Sequence, residues 1–304
     1  MTVDAVLIAG PTASGKSGAA LALAEAIGGV VINADSMQVY RELRILTARP
    51  PDADLARAPH LLYGHVSARA LYSTGLYQDD ATDALMQARA LGQIPIFTGG
   101  TGLYFTALTE GLSNIPSIPD AIRERARGRL EEIGVAALHA ELAARDPETA
   151  AELRPSDPQR VLRAYEVFEA TGKPLAHWQK DIGKPVLDGL RVAKFVLDIP
   201  RPELRARIET RFKAMMAGGA MEEAAELEGL DPALPAAKIL GLRELQALRR
   251  REIPEAQAVE AAVTATRQFA KRQTTWFRHR MADWHRLDAT ETAGIVAKIR
   301  PLIV

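Results

Sequence analysis

The chain has 304 residues, and its 38 lysines and arginines are balanced by 38 aspartates and glutamates. With 47% hydrophobic residues it can bury a full core and a smaller second domain. The absence of cysteine excludes disulfides, thiolate metal sites and cysteine nucleophiles, and it is compatible with a reducing cytoplasm, the compartment expected here. The opening MTVDAVLIAG carries no basic segment and its apolar run ends in glycine, so neither a signal peptide nor a membrane span is expected.

That apolar run predicts a strand, and GPTASGKS from Gly10 to Ser17 follows it at the spacing of a phosphate-binding loop. Glycines let successive backbone N–H groups turn inward, and a helix starting near Lys16 adds the positive end of its dipole. Lys16 is then a mobile charge for an outer phosphate, and the Ser17 hydroxyl a ligand for Mg²⁺ shared with phosphate oxygens. The motif alone does not name the phosphate compound.

The stretch from Ser17 to Ala26 predicts a helix closed by Gly28 and Gly29, and VVIN predicts a second strand ending at Asn33. Strand, helix and strand form a βαβ unit whose ligand lies at the carboxyl ends of the strands. ADSMQVY, Ala34 to Tyr40, is thereby placed on the rim beside the phosphate loop. Asp35 reads either as a turn or cap residue or as a carboxylate that holds Mg²⁺ or accepts a proton.

TARPPDADLARAPH reads as surface loop with a short helix at most, and a helix is predicted from about Thr74 to Gly92. IPIF, Ile94 to Phe97, is a buried strand whose following TGGTGLY brings Thr101 to the same rim as Asp35, as a helix cap or a cleft residue. From Ser117 to about Pro185 the text turns charged and alanine-rich, with turn signals at Gly134, Asp146-Pro147, Asp157-Pro158 and Gly172-Lys173-Pro174. This predicts a helical insertion, in which Arg160 and Arg163 lie close to one helix face.

Arg191 to Ile199 returns the chain to the sheet, and the next helix sets Arg207 and Arg211 one turn apart, either beside one diphosphate or paired with Glu203 or Glu209. Two more helices follow; the second ends in the basic, aromatic-bearing RQFAKRQTTWFRHR, and a short strand near HRLDA and a helix over ETAGIVAKI complete the chain. The expected fold is α/β, a P-loop NTPase-like parallel sheet flanked by helices with an all-helical insertion. Its core comprises residues 1–116 and 186–304, and its insertion residues 117–185.

GPTASGKS, NADSMQVYR, TARP, GGTGLY, DPQR, RIETRF and ATRQFAKRQTTWFR, in this order, resemble the tRNA dimethylallyltransferase family over almost the whole chain. The resemblance implies transfer of a dimethylallyl group from dimethylallyl diphosphate, with Mg²⁺, to N6 of the adenosine immediately 3′ of the anticodon. A monomer acting on the tRNA anticodon stem-loop is expected. By matching position, Gly10, Pro11, Thr12, Ala13, Ser14, Gly15, Lys16 and Ser17 would hold the diphosphate, with Arg211 and Arg207 neutralising the leaving group. Asp35 would accept the N6 proton and Thr101 would line the reaction channel. Ser36, Met37 and Gln38 would touch the target nucleotide. Arg123, Gln159, Arg160, Val161, Leu162 and Arg163 would contact the tRNA, and the basic terminal helix is expected to add Arg272 and Trp276, with core packing the other reading of Trp276 and Phe277. Where relatives read YRGLDIGTAKP this chain has YRELRILTARP, with Glu42, Arg44 and Leu46 replacing Gly, Asp and Gly, and Leu61 stands where a second His is usual. Three other readings stay open: a small-molecule kinase, for which Asp198 after KFVL would serve the metal, an NTP-dependent RNA-binding switch, and a prenyltransferase of free adenine nucleotides.

Overall fold

Strand β1, Ala5–Ala9, is fully buried at all five positions, which is why its sequence is continuously apolar rather than alternating. The computed structural model describes residues 3–289 and 292–303. Helix α1, Lys16–Ile27, follows the glycine loop and stops at Gly28, whose φ of 66° is a left-handed conformation and whose N–H donates to the Ala24 carbonyl. Then come β2 (Val30–Asn33), the short helix α2 (Asp52–Leu55), β3 (His60–Leu61), α3 (Thr74–Ala90), β4 (Pro95–Gly99) and α4 (Gly102–Thr109).

All strand pairs are parallel, and the sheet order is β3, β2, β4, β1, β5, β6, with β5 at Val192–Asp198 and β6 at His285–Asp288. β1 is therefore central, with Leu7 opposite Phe97 of β4 and Lys194 of β5. One core layer packs Ala20, Leu23, Ile295 and Ile299 against the sheet, and the other packs Tyr77, Leu85, Phe105 and Phe277. A crossover between parallel strands carries each strand's carboxyl end to one edge of the sheet, so the loops after β1, β2 and β4 meet there.

The chain separates into two compact units, residues 1–109 with 186–304, and residues 110–185. The second unit begins at Glu110, ahead of the Ser117 boundary expected from composition. It holds α5 (Asp120–Arg145, broken at Gly134 with φ 76°), α6 (Pro147–Glu152), α7 (Pro158–Thr171) and α8 (Leu175–Gln179) around Ile118, Leu142, Ala164 and Val167. Back in the first unit, α9 (Arg201–Ala217), α10 (Ala220–Glu226), α11 (Leu242–Arg249) and α12 (Glu255–Arg280) precede β6 and α13 (Thr292–Ile303). Ile208, Phe212, Leu245 and Ala262 pack there with Val39, Leu43 and Leu46 of the segment after β2.

Two elements differ from expectation. β3 is a two-residue edge strand at the end of the stretch read as loop, too short to show an alternating pattern. α10 follows the Gly218-Gly219 pair, where a helix end was read, because Gly219 takes φ 106° and restarts the chain as a helix. The predicted terminal helix ETAGIVAKI starts at Glu291, which lies outside the described residues.

α10 carries a buried carboxylate that no motif pointed to. Glu223 accepts from the backbone N–H groups of Arg44 (2.5 Å), Ile45 and Leu46 (2.9 Å), fixing the turn after β2 through its main chain. Glu223→Gln puts an amide among three donors, and a loss of about 1–3 kcal/mol is expected in urea unfolding. Unchanged stability would contradict this bracing role.

Candidate active site

In the loop from Gly10 to Ser17, Ala13 has φ 65° and Gly15 φ 89°. A left-handed alanine is a conformation that the backbone adopts at a small energetic penalty. The result is a nest: among the described residues, the N–H groups of Ala13, Gly15, Lys16 and Ser17 find no acceptor in the chain, while Thr12 N–H donates to Gln273 Oε1 at 2.8 Å. Gly10 is required by a close approach, since a Cβ there would stand 2.6 Å from Ser14 Oγ. That Ser14 hydroxyl is fully buried with no hydrogen-bond partner among the described residues.

Lys16 is buried, with its Nζ 3.4 Å from the Pro11 carbonyl. Burial pushes its pKa down from 10.5 to about 8; the Asp35 carboxylate opposes this and the Arg211 guanidinium adds to it. Arg211, from α9, donates to Thr12 Oγ1 at 2.5 Å, and burial lowers its pKa too, with Asp35 again opposing. Two desolvated cations thus converge on one loop, which is the arrangement an anion stabilises. Affinity of the loop for inorganic diphosphate should fall as pH rises through about 8, where Lys16 gives up its proton. Diphosphate binding measured across the pH range checks this, and an affinity flat through pH 9 would contradict it. The stability effect has a definite sign. The fold disfavours the charged lysine, so the penalty is full below pH 8 and is relieved as pH climbs toward 10.5.

The rim after β2 is held by Asn33, fully buried, whose Oδ1 accepts from Asp35 N (2.9 Å) and whose Nδ2 donates to the carbonyls of Asp35 (2.9 Å) and Leu62 (3.0 Å). Tyr77, stacked on Tyr104 with ring centres 3.6 Å apart, donates from below to the Asn33 carbonyl. Asp35 Oδ1 accepts from Met37 N at 3.0 Å. Oδ2 faces Gly100, where an added Cβ would lie 3.3 Å from it, and takes no hydrogen bond among the described residues. Thr101 does not cap α4 with its side chain; its Oγ1 accepts from Ser36 N (2.9 Å) and donates to Ser36 Oγ (3.2 Å). A Cβ on Gly99 would sit 1.9 Å from the Ala34 carbonyl, so only glycine lets the β2 and β4 rims touch.

Gln273 ties these parts together. It is buried on α12, accepts from Thr12 N–H and donates from Nε2 to the Gly100 carbonyl at 2.8 Å, linking the loop after β1 to the loop after β4. Beside it, Trp276 is half-buried and lies flat against Gly102, where a Cβ would come within 2.5 Å of the indole, while Phe277 is core. Arg272 is exposed, with its guanidinium 5.7 Å from the Phe269 ring.

The remaining expected site residues divide. Arg207, expected beside Arg211, is engaged by Glu203 (2.5 Å) and the Ala289 carbonyl (3.2 Å). Met37 packs at the edge of the core, and the Gln38 side chain is buried, donating to the Thr47 and Ala48 carbonyls. In the second unit, Gln159 and Arg160 are exposed, and Leu162, Arg163 and Arg123 are half-buried. Val161 must be removed from the set of RNA-facing side chains: with Ala164 and Val167 it forms the buried face of α7 and has no exposure. The positions that depart from the usual motif each have a partner here. Glu42 accepts from Ser67 Oγ and Ala68 N, Arg44 pairs with Asp52 at 2.7 Å, and Leu46 is core.

Among the described residues no group of three His, Cys, Asp or Glu side chains could hold a metal. A hydroxyl such as Ser17, with phosphate oxygens and water, is a donor set that Mg²⁺ commonly takes. Asp198, the acid a kinase reading would use, is ion-paired with Arg286 at 2.9 Å. No helix among the described residues is long and apolar enough to cross a membrane.

Polyphosphate held at the carboxyl edge of a parallel sheet is the property of P-loop α/β enzymes, and this chain is one of them. The IPP transferase family model matches residues 38–280. A tRNA dimethylallyltransferase of Sinorhizobium medicae is 50% identical over 96% of this chain and 97% of its own length, and one of Azorhizobium caulinodans is 52% identical over 93% and 91%. The chain belongs to the IPP transferase family. Among solved structures, a tRNA isopentenylpyrophosphate transferase from Bacillus halodurans superposes with a TM-score of 0.70 at 29% identity, covering 99% of this chain and 96% of that one. A eukaryotic dimethylallyltransferase acting on tRNA gives 0.79 at 27% identity, covering 95% and 74%.

Proposed function

We propose that the protein transfers a dimethylallyl group from dimethylallyl diphosphate to N6 of the adenosine immediately 3′ of the anticodon in tRNA, releasing diphosphate. The observation that carries this reading is the facing pair: a cation-lined phosphate nest and, across the rim, the unengaged Oδ2 of Asp35. The allylic C–O bond breaks toward the diphosphate, the N6–C bond forms, and the N6 proton passes to Asp35. The adenine amine is a weak nucleophile, so the leaving group must be stabilised strongly. Lys16, Arg211 and the loop amides supply that stabilisation, and preorganised donors of this kind are worth about 3–4 kcal/mol each. When bound, Mg²⁺ would neutralise further phosphate charge, with Ser17 as its protein ligand. Thr101 and Ser36 shape the wall beside Asp35, and the acceptor base must leave its stack to reach it, at a cost of about a few kcal/mol.

The exposed cations Arg160 and Arg272 support an RNA rather than a free nucleotide as acceptor. The protein acts as a monomer in the cytoplasm. Incubation with dimethylallyl diphosphate, Mg²⁺ and unmodified tRNA, followed by mass analysis of the nucleosides, should give adenosine carrying one dimethylallyl group in place of a hydrogen. Modification of AMP at the rate of an anticodon stem-loop, or phosphorylation of an acceptor by ATP, would contradict the reading.

A further inference from the structure

A cavity of about 1240 Å³ in the first unit opens between α9, α12 and the ends of β5 and β6, and it is distinct from the rim of Asp35 and Thr101. Six cations line it, Arg201, Arg205, Arg267, Lys271, Arg278 and Arg286, against two acids, Asp198 and Asp288. Arg286 is held by Asp198, and Arg267 reaches Glu209 at 3.2 Å. Arg201, Arg205, Lys271 and Arg278 are exposed and have no ion-pair partner among the described residues. The Arg267 Nε is buried with no hydrogen-bond partner. Like charges crowded one turn apart repel, so the surface is one that an anion would relieve.

Three features say what kind of anion. The cavity is larger than the usual range for small-molecule sites. Arg267, Lys271 and Arg278 run along one stripe of α12 for about 16 Å, longer than a diphosphate and long enough to follow several phosphates of a strand. The first turn of α9, at Pro200 and Arg201, adds the positive end of a 17-residue helix to the same wall. The stripe lies away from Trp276, which turns to Gly102, and from Gln273, which turns to Thr12.

We propose that this groove holds the sugar-phosphate backbone of the RNA substrate at a distance from the acceptor base, an inference that rests on the RNA-acceptor reading above. The groove contributes affinity and salt dependence but no base recognition.

The test is fluorescence anisotropy with unmodified tRNA across a salt series. Arg205→Glu with Lys271→Glu should weaken binding at least about tenfold and make the salt slope shallower by about two. Lys298→Glu with Arg300→Glu on α13, the same change in net charge, should stay within about threefold. Equal losses in both pairs would mean a general field effect and overturn the groove, as would wild-type affinity in the groove pair. Weakened binding of inorganic diphosphate with tRNA binding intact would also overturn it. A wild-type protein that binds no tRNA would instead overturn the acceptor reading itself. Should the reversals melt early, Arg205→Gln with Lys271→Gln repeats the comparison, with a smaller loss of the same kind expected.

Discussion

Asp35→Asn is expected to lower kcat by about 10²- to 10⁴-fold while tRNA affinity stays within about threefold. The amide keeps a carbonyl oxygen for Met37 N–H, so the turn after β2 retains its shape. It loses the basic oxygen that faces Gly100, which in the proposed mechanism is the acceptor of the N6 proton. Single-turnover rates with saturating tRNA, set beside binding measured without donor, separate the two effects. A parallel fall in rate and affinity would assign Asp35 to holding the nucleotide rather than to the proton transfer.

Arg211→Ala is expected to reduce kcat by about 10²- to 10³-fold and to raise KM for the donor. The guanidinium is half-buried against the loop, donating to Thr12 Oγ1, and in the proposed mechanism it would meet the negative charge that grows as the diphosphate departs. Arg207→Ala should cost less, because that side chain is tied to Glu203 and the Ala289 carbonyl. Arg211→Lys should recover only part of the loss, since a point charge replaces a planar fork of donors. Steady-state kinetics with varied donor check this, and equal losses for the two arginines would contradict the distinction drawn between them.

The phosphate loop and both rims were legible because glycine spacing after a β-branched or apolar run states backbone geometry directly, and Gly10, Gly99 and Gly100 are where that geometry closes. Gln273 was not legible as a tie. Its partner Thr12 lies 261 residues away, and no local pattern marks a glutamine as the link between two loops. Glu223 was hidden for the same reason: the N–H groups it grips lie 177 to 179 residues earlier in the chain. Val161 was included by its place in a motif, although the spacing of Val161, Ala164 and Val167 already describes a buried helix face. For Arg207 the pairing with Glu203 was one of two open readings at one-turn spacing, and only the packed helix separates them.

The bracing of the turn after β2 separates the course of its main chain from the chemistry of its side chains. Glu223 grips main-chain N–H groups, which every residue except proline supplies, so it is indifferent to the side chains at positions 44 to 46. A change at the surface-paired Arg44 therefore leaves the main-chain path of the turn in place, whereas Leu46 is fixed by its own packing in the core.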